Sequence, residues 1–109
     1  MFSILIPTLN NLKYLKFCIK SIIKNSKFDN EILVHVSEDF EKATRNYLLK
    51  EDISFTYTEE NVGLCTAINI VAKKARFPHL VYSHDDMYFC PNWEKPLKDE
   101  IKKIQHNKY

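Results

Sequence analysis

Apolar positions along this chain recur in two rhythms, one suited to strands and one to helices. Phe2-Ser3-Ile4-Leu5-Ile6 is a short β-rich run closed by Pro7, which reads as a buried strand. Leu12, Leu15, Ile19, Ile22 and Ile23 then return at helical spacing, while Lys13, Lys16, Lys20 and Lys24 line another face. This predicts an amphipathic helix to about Lys24, capped by Asn10 or Asn11. Asn25-Ser26 and Asp29-Asn30 punctuate a loop before a second strand, Ile32-Leu33-Val34-His35-Val36. Phe40, Ala43, Tyr47 and Leu48 fit a second helix, and Ile53, Phe55 and Tyr57 alternate as a third, shorter strand. After the turn Asn61-Val62-Gly63, a third helix carries Leu64, Ala67, Ile68, Val71, Ala72 and Ala75 and is broken by Pro78. Leu80-Val81-Tyr82 makes a fourth strand. Beyond Pro91, residues Trp93, Leu97, Ile101 and Ile104 predict a last helix, with Pro96 in its first turn.

This β-α alternation predicts an α/β fold, a mostly parallel sheet with helices on both faces and right-handed crossovers. Such sheets bind ligands beyond the carboxyl ends of their strands. The stretches of interest are therefore Pro7 to Asn11, Ser37 to Phe40, Glu59 to Gly63 and Ser83 to Pro91.

Length and composition narrow the picture. A chain of 109 residues has room for one domain, residues 1–109, with a small core. A formal net charge of +2 is too small to argue for nucleic acid. Cys18, Cys65 and Cys90 are an odd, scattered set, which reads as a reducing compartment rather than a disulfide framework. The opening apolar run is too short for a signal peptide, and no run reaches the length that spans a bilayer. The expectation is a soluble cytoplasmic protein. The lysine face of the first helix could meet anionic lipid, but a solvated face is the plainer reading, so membrane association is possible but not indicated. The single glycine, Gly63, marks a place where only glycine fits.

Asp85-Asp86 directly follows the fourth strand. Adjacent carboxylates repel unless a cation or hydrogen-bond donors separate them. Mg²⁺ and Mn²⁺ take oxygen ligands, and Mg²⁺ often uses one or two carboxylates plus substrate phosphates. The pair therefore suits a metal–diphosphate site; the plainer readings are a solvated turn or a helix cap. Glu38-Asp39 stands at the second strand's end, able to bond a base or ribose, or to cap a helix. Asn61-Val62-Gly63 opens a helix, where anions are favoured, although an ordinary capped turn is the plainer reading. His84 and Cys90 flank the acidic pair without zinc-ligand spacing. Cys18, Cys65 and His35 read as packed core residues.

Taken in order, four segments resemble the family 2 glycosyltransferases. They are Ser3-Ile4-Leu5-Ile6-Pro7-Thr8-Leu9-Asn10, Glu31 through Glu38, Asn61-Val62-Gly63-Leu64-Cys65-Thr66-Ala67-Ile68-Asn69, and Tyr82-Ser83-His84-Asp85-Asp86-Met87-Tyr88, the last DXD-like. The resemblance covers nearly the whole chain. It implies a Rossmann-like GT-A nucleotide-binding half that takes a nucleotide-diphosphate sugar, with a sugar or glycan acceptor. It implies that Pro7 and Thr8 border the base and that Glu38 stands where many members place a base-contacting aspartate. Asn61, Gly63 and Asn69 would lie along the donor cleft. Asp85 would meet the ribose or metal shell, and Asp86 would ligate Mn²⁺ or Mg²⁺. The chain departs from the family in carrying Val36-Ser37-Glu38-Asp39 where Asp-Asp-Gly-Ser is usual. It also stops where members continue into the half holding the acceptor site and catalytic base, and no base is identified here. The alternative is a non-catalytic nucleotide- or partner-binding α/β module. A receiver-type domain lacks support, because the third strand ends in Thr58-Glu59 without an aspartate.

Overall fold

The alternation of rhythms becomes an alternation of elements in the computed structural model, which describes residues 2–27, 29–39 and 41–99. Strands β1 (Ser3–Leu9), β2 (Glu31–Ser37), β3 (Ser54–Thr58) and β4 (Leu80–Tyr82) are joined through helices α1 (Leu12–Asn25), α2 (Ala43–Lys50) and α3 (Leu64–Ala72). A further helical run covers residues 94–99, with Pro96 in its first turn as expected. Ile101, Ile104 and Phe40 lie outside the described residues. All strand pairs are parallel, and the sheet order is β3-β2-β1-β4.

Strand periodicity sorts the core into two layers. Ile4, Ile6, Val34 and Val36 face one side, against Leu15, Cys18, Ile19 and Ile22 of α1 and Leu48 of α2. Leu5 and Leu33 face the other, against Val71 of α3, with Ile68, Ala72 and Ala75 around it. Each such aliphatic side chain contributes about 1.5–3 kcal/mol on burial, so the larger α1 layer carries most of the stability.

Several boundaries differ from the sequence reading. β1 does not close at Pro7 but continues through Thr8 and Leu9, paired with β2 to Ser37. Proline in a central strand normally removes a ladder hydrogen bond. Here Leu5 accepts from Ser83 N on the β4 side (2.9 Å), and Pro7 points its missing N–H the same way, beyond the end of β4. α3 ends at Ala72, well before Pro78. The chain leaves the helix through tighter i→i+3 bonds from Lys74 and Ala75, and Arg76 N–H is taken by Glu31. β3 runs from Ser54 to Thr58, one residue later than expected.

Glu31 ties the amino-terminal edge of the sheet together. Its Oε1 accepts from Ser3 Oγ and Arg76 N, each at 2.6 Å, and its Oε2 from Arg76 Nε at 2.8 Å. Burial pushes this carboxyl up, but those donors outweigh it and hold it below the ordinary value of 4.5. The contribution is therefore complete above pH 4.5 and is lost as pH falls through the depressed value. Glu31→Gln is expected to cost about 1–3 kcal/mol near neutral pH. Urea unfolding should show that deficit shrinking as pH drops below 4.5. A second expectation concerns Gly63, which precedes α3 at φ 85°, ψ 162°, a conformation open essentially to glycine alone. A Cβ there would touch nothing within 4 Å, so the cost of Gly63→Ala is backbone strain. That cost is about 1–3 kcal/mol, read as a lowered melting temperature.

Candidate functional site

The chain leaves β1 toward β2 and β3, then crosses back to place β4 on the opposite side. At such a switch point the connections diverge and a crevice opens at the strand ends. β4 also stops at Tyr82, opposite Leu5, while β1 continues to Leu9. The result is a cleft of about 410 Å³. Pro7, Thr8 and Leu9 line it from β1, and Ser37 from the end of β2. Asn61, Gly63, Leu64 and Ala67 line it from the turn and first coils of α3. Tyr82 at the end of β4, and His84 and Asp85 just after it, complete the lining together with Asn11.

Asp85 is fixed from two elements. Thr8 Oγ1 donates to Oδ2 at 2.8 Å and Asn11 Nδ2 to Oδ1 at 3.1 Å. Asn11 occupies the N-cap of α1, yet its side chain makes no capping bond. Its amide nitrogen donates to Asp85 instead. Asp86 is the next residue of the same turn and is exposed; among the described residues it has no hydrogen bond or ion pair. Tyr82 and His84 stack edge to face, ring centroids 5.0 Å apart, with the hydroxyl 3.0 Å from His84 Nδ1. Burial, then the charges of Asp85 and Asp86, push the Tyr82 phenol above its usual range. Burial raises the Cys18 thiol behind the loop, against a lowering contact with Ser83.

The donor set fits a hard cation. It offers two carboxylates: Asp85, both of whose oxygens are hydrogen-bonded, and Asp86, which is exposed outside the cleft lining and has no partner among the described residues. Among the described residues, no group of three or more His, Cys, Asp or Glu side chains gathers into a cage. A divalent ion here would complete its shell with water and ligand phosphate, the habit of Mg²⁺ and Mn²⁺.

The remaining candidate residues divide. Pro7, Thr8, Asn61, Gly63 and Asp85 meet at the cleft. Asn61 Oδ1 accepts from Gly63 N at 3.0 Å, an Asx turn that presents the start of α3. Glu38 stands one residue past the lining residue Ser37, at φ 55°. Asn10, at the matching exit of β1, also has a left-handed φ, 51°. Asn69 is exposed on α3 and is not brought to the lining, because it lies two residues, about 200°, around the helix from Ala67. Asp39 is buried and serves α2: its carboxylate accepts from Thr44 N, Arg45 N and Arg45 Nε. His35 is buried between Thr56 Oγ1 (2.7 Å) and Thr58 Oγ1 (3.0 Å), and burial lowers its pKa. Cys65 is exposed on α3 rather than packed in the core. Its place in the apolar α3 pattern hid this, because only Ala67 and Val71 of that helix are buried.

Sequence reasoning places Asn11 and Ser37 inside the strand-end stretches without giving either a role in the site, and it leaves out Tyr82, Leu64 and Ala67. Tyr82 is the last residue of β4, and Leu64 and Ala67 read in sequence only as the apolar face of α3.

Comparisons with known proteins follow this geometry. The chain's fold matches TarS 1–349 of S. aureus at TM-score 0.73 and 21% identity, over 96% of this chain and 32% of that one. The same protein solved in complex with UDP matches at TM-score 0.72 and 22% identity, with the same coverage. The mannosyltransferase PcManGT from Pyrobaculum calidifontis, solved with GDP-Man and Mn²⁺, matches at TM-score 0.72 and 18% identity, over 94% of this chain and 32% of that one. The chain thus spans about a third of the solved structures it matches. No match is found among curated proteins. The model of the family described as Glycosyl transferase family 2 matches residues 3–107. That match takes in every strand and the whole cleft, and by it the chain belongs to glycosyl transferase family 2.

Proposed function

We propose that the cleft between β1 and β4 binds the nucleoside-diphosphate part of an activated sugar, and that the chain is the donor-binding part of a glycosyltransferase. The observation that carries this reading is the locking of Asp85 by Thr8 and Asn11 beside the unengaged Asp86. An aspartate so oriented at the rim of a cleft is pre-organised for a ligand. The two solved neighbours bound to UDP and to GDP-Man with Mn²⁺ support the ligand class.

In this reading Pro7 and Thr8 border the base, and Glu38 approaches it from the end of β2. Asn61 and Gly63 follow the diphosphate, with Asn69 beyond them on α3. Asp85 takes the ribose or the metal shell, and Asp86 ligates Mn²⁺ or Mg²⁺. The bound cation supplies neutralising charge as negative charge grows on the departing nucleoside diphosphate. The chain's own part is to bind and orient: Thr8 and Asn11 keep Asp85 in place, and the apolar wall of Leu64 and Ala67 shields one side from water. A sugar or glycan hydroxyl is the acceptor, and this reading gives the chain the donor step alone. We place the protein in the cytoplasm, where nucleotide sugars are made and where its unpaired Cys18, Cys65 and Cys90 suit a reducing compartment. No helix of the described residues is long and apolar enough to cross a membrane.

Calorimetric titration with UDP and GDP, with and without Mn²⁺, tests this. Binding of one nucleotide is expected to strengthen with the ion, and Asp86→Asn to remove that gain. Thr8→Val, which frees Asp85, should weaken metal-dependent binding about 10–100-fold. Unchanged binding by Asp86→Asn would remove the metal assignment. Metal-independent binding would favour a non-catalytic nucleotide-binding module, and binding of neither nucleotide would sink the donor reading.

A further inference from the structure

The outer face of α1 is chemically unlike the rest of the surface. Its fourteen residues hold Lys13, Lys16, Lys20 and Lys24 and no acid. The chain carries only +2 overall, so the remainder is net acidic. Lys13, Phe17, Lys20 and Lys24 are spaced four, three and four apart and therefore form one line along the helix. All four are exposed, Phe17 by 62%. Tyr14 and Ile23, exposed by 52% and 64%, flank that line. Lys16 is set apart, its ammonium 5.1 Å over the Tyr47 ring. The opposite face of the helix is committed to the core through Leu15, Cys18, Ile19 and Ile22.

Exposed apolar side chains also occur in the segment beside the helix. The segment after β4 is tied along the flank of α1, with Phe89 N donating to Ser21 Oγ (2.8 Å) and Asn25 Nδ2 to Phe89 O (2.6 Å). Its Met87 and Tyr88 are left exposed.

From this juxtaposition we infer that the outer face of α1 docks the chain on an anionic lipid surface, with Phe17 and Tyr14 entering the headgroup layer between lysines that meet lipid phosphates. At fourteen residues α1 is too short to span a bilayer, so it lies in the interface plane. Charge selects the partner: a line of cations without an acid is complementary to an anionic plane. A single helix line offers no groove to hold a peptide, and bulky apolar groups among the lysines gain by burial in a headgroup layer. Because α1 starts at Leu12, next to Asn11, the docked face runs back from the rim of the cleft.

Flotation of the full chain with vesicles of phosphatidylcholine, plain or doped with phosphatidylglycerol, tests this without any nucleotide and so independently of the donor reading. Binding is expected only to the anionic vesicles and should fade at high salt. Lys20→Gln with Lys24→Gln should weaken it about 25-fold, at about fivefold per lysine. Phe17→Ser should weaken it about tenfold. These positions are exposed, so circular dichroism and melting should match the parent. Equal binding to neutral vesicles, no binding to anionic ones, or variants that bind like the parent would each overturn the inference. Retention by polyglutamate with vesicles unbound would also overturn it and assign the face to an acidic protein.

Discussion

The structure depends on β1 changing partners along its length. Over Ser3 to Leu5 it is paired on both sides, with β2 and β4; from Ile6 to Leu9 only β2 remains. Ser83 N makes the last bond on the β4 side, to Leu5 O. Beyond it the vacated edge becomes one wall of the cleft. A residue that cannot donate, Pro7, stands where no partner strand would accept. The same position that would damage a fully paired central strand is harmless here, and it leaves the cleft wall with one fewer N–H to satisfy. Fold and cavity thus follow from one event, the early end of β4.

Much of this was readable from residue order because the two rhythms coincide with real burial. Ile4, Ile6, Val34 and Val36 on one side and Leu5 and Leu33 on the other are what a strand covered on both faces requires. The elements, their sequence and the helices on both faces were therefore legible, as was the meeting of Pro7, Thr8, Asn61, Gly63 and Asp85 at strand ends. What stayed hidden depended on long-range partners. Nothing local says that β1 continues past a proline, since that rests on where β4 stops. Nothing local ends α3 at Ala72, since the pull on Arg76 comes from Glu31, 45 residues away.

Aspartates in this chain show how environment divides one side-chain chemistry among tasks. Asp39 is buried and saturated by the first turns of α2 and by Arg45, so its charge is used up in holding a helix. Asp85 is bonded by two neutral donors, a hydroxyl and an amide, which orient it without cancelling its charge. Asp86 is exposed, and its carboxylate has no partner among the described residues. The three form a gradient from structural anchor to available ligand, and the charges of the last two add to burial in lifting the Tyr82 phenol.

Asn11 carries a conflict that follows from its double position. As the N-cap of α1 it could satisfy an orphan amide of that helix; instead its side chain reaches Asp85 and the amide goes without that partner. Selection for a tighter α1 and selection for a fixed Asp85 therefore pull this one residue in opposite directions. A shorter capping residue such as serine would serve the helix and leave the aspartate half-tethered. The side-chain orientation that gives Nδ2 to Asp85 leaves Oδ1 out of capping, so α1 begins without a side-chain partner for its first amides.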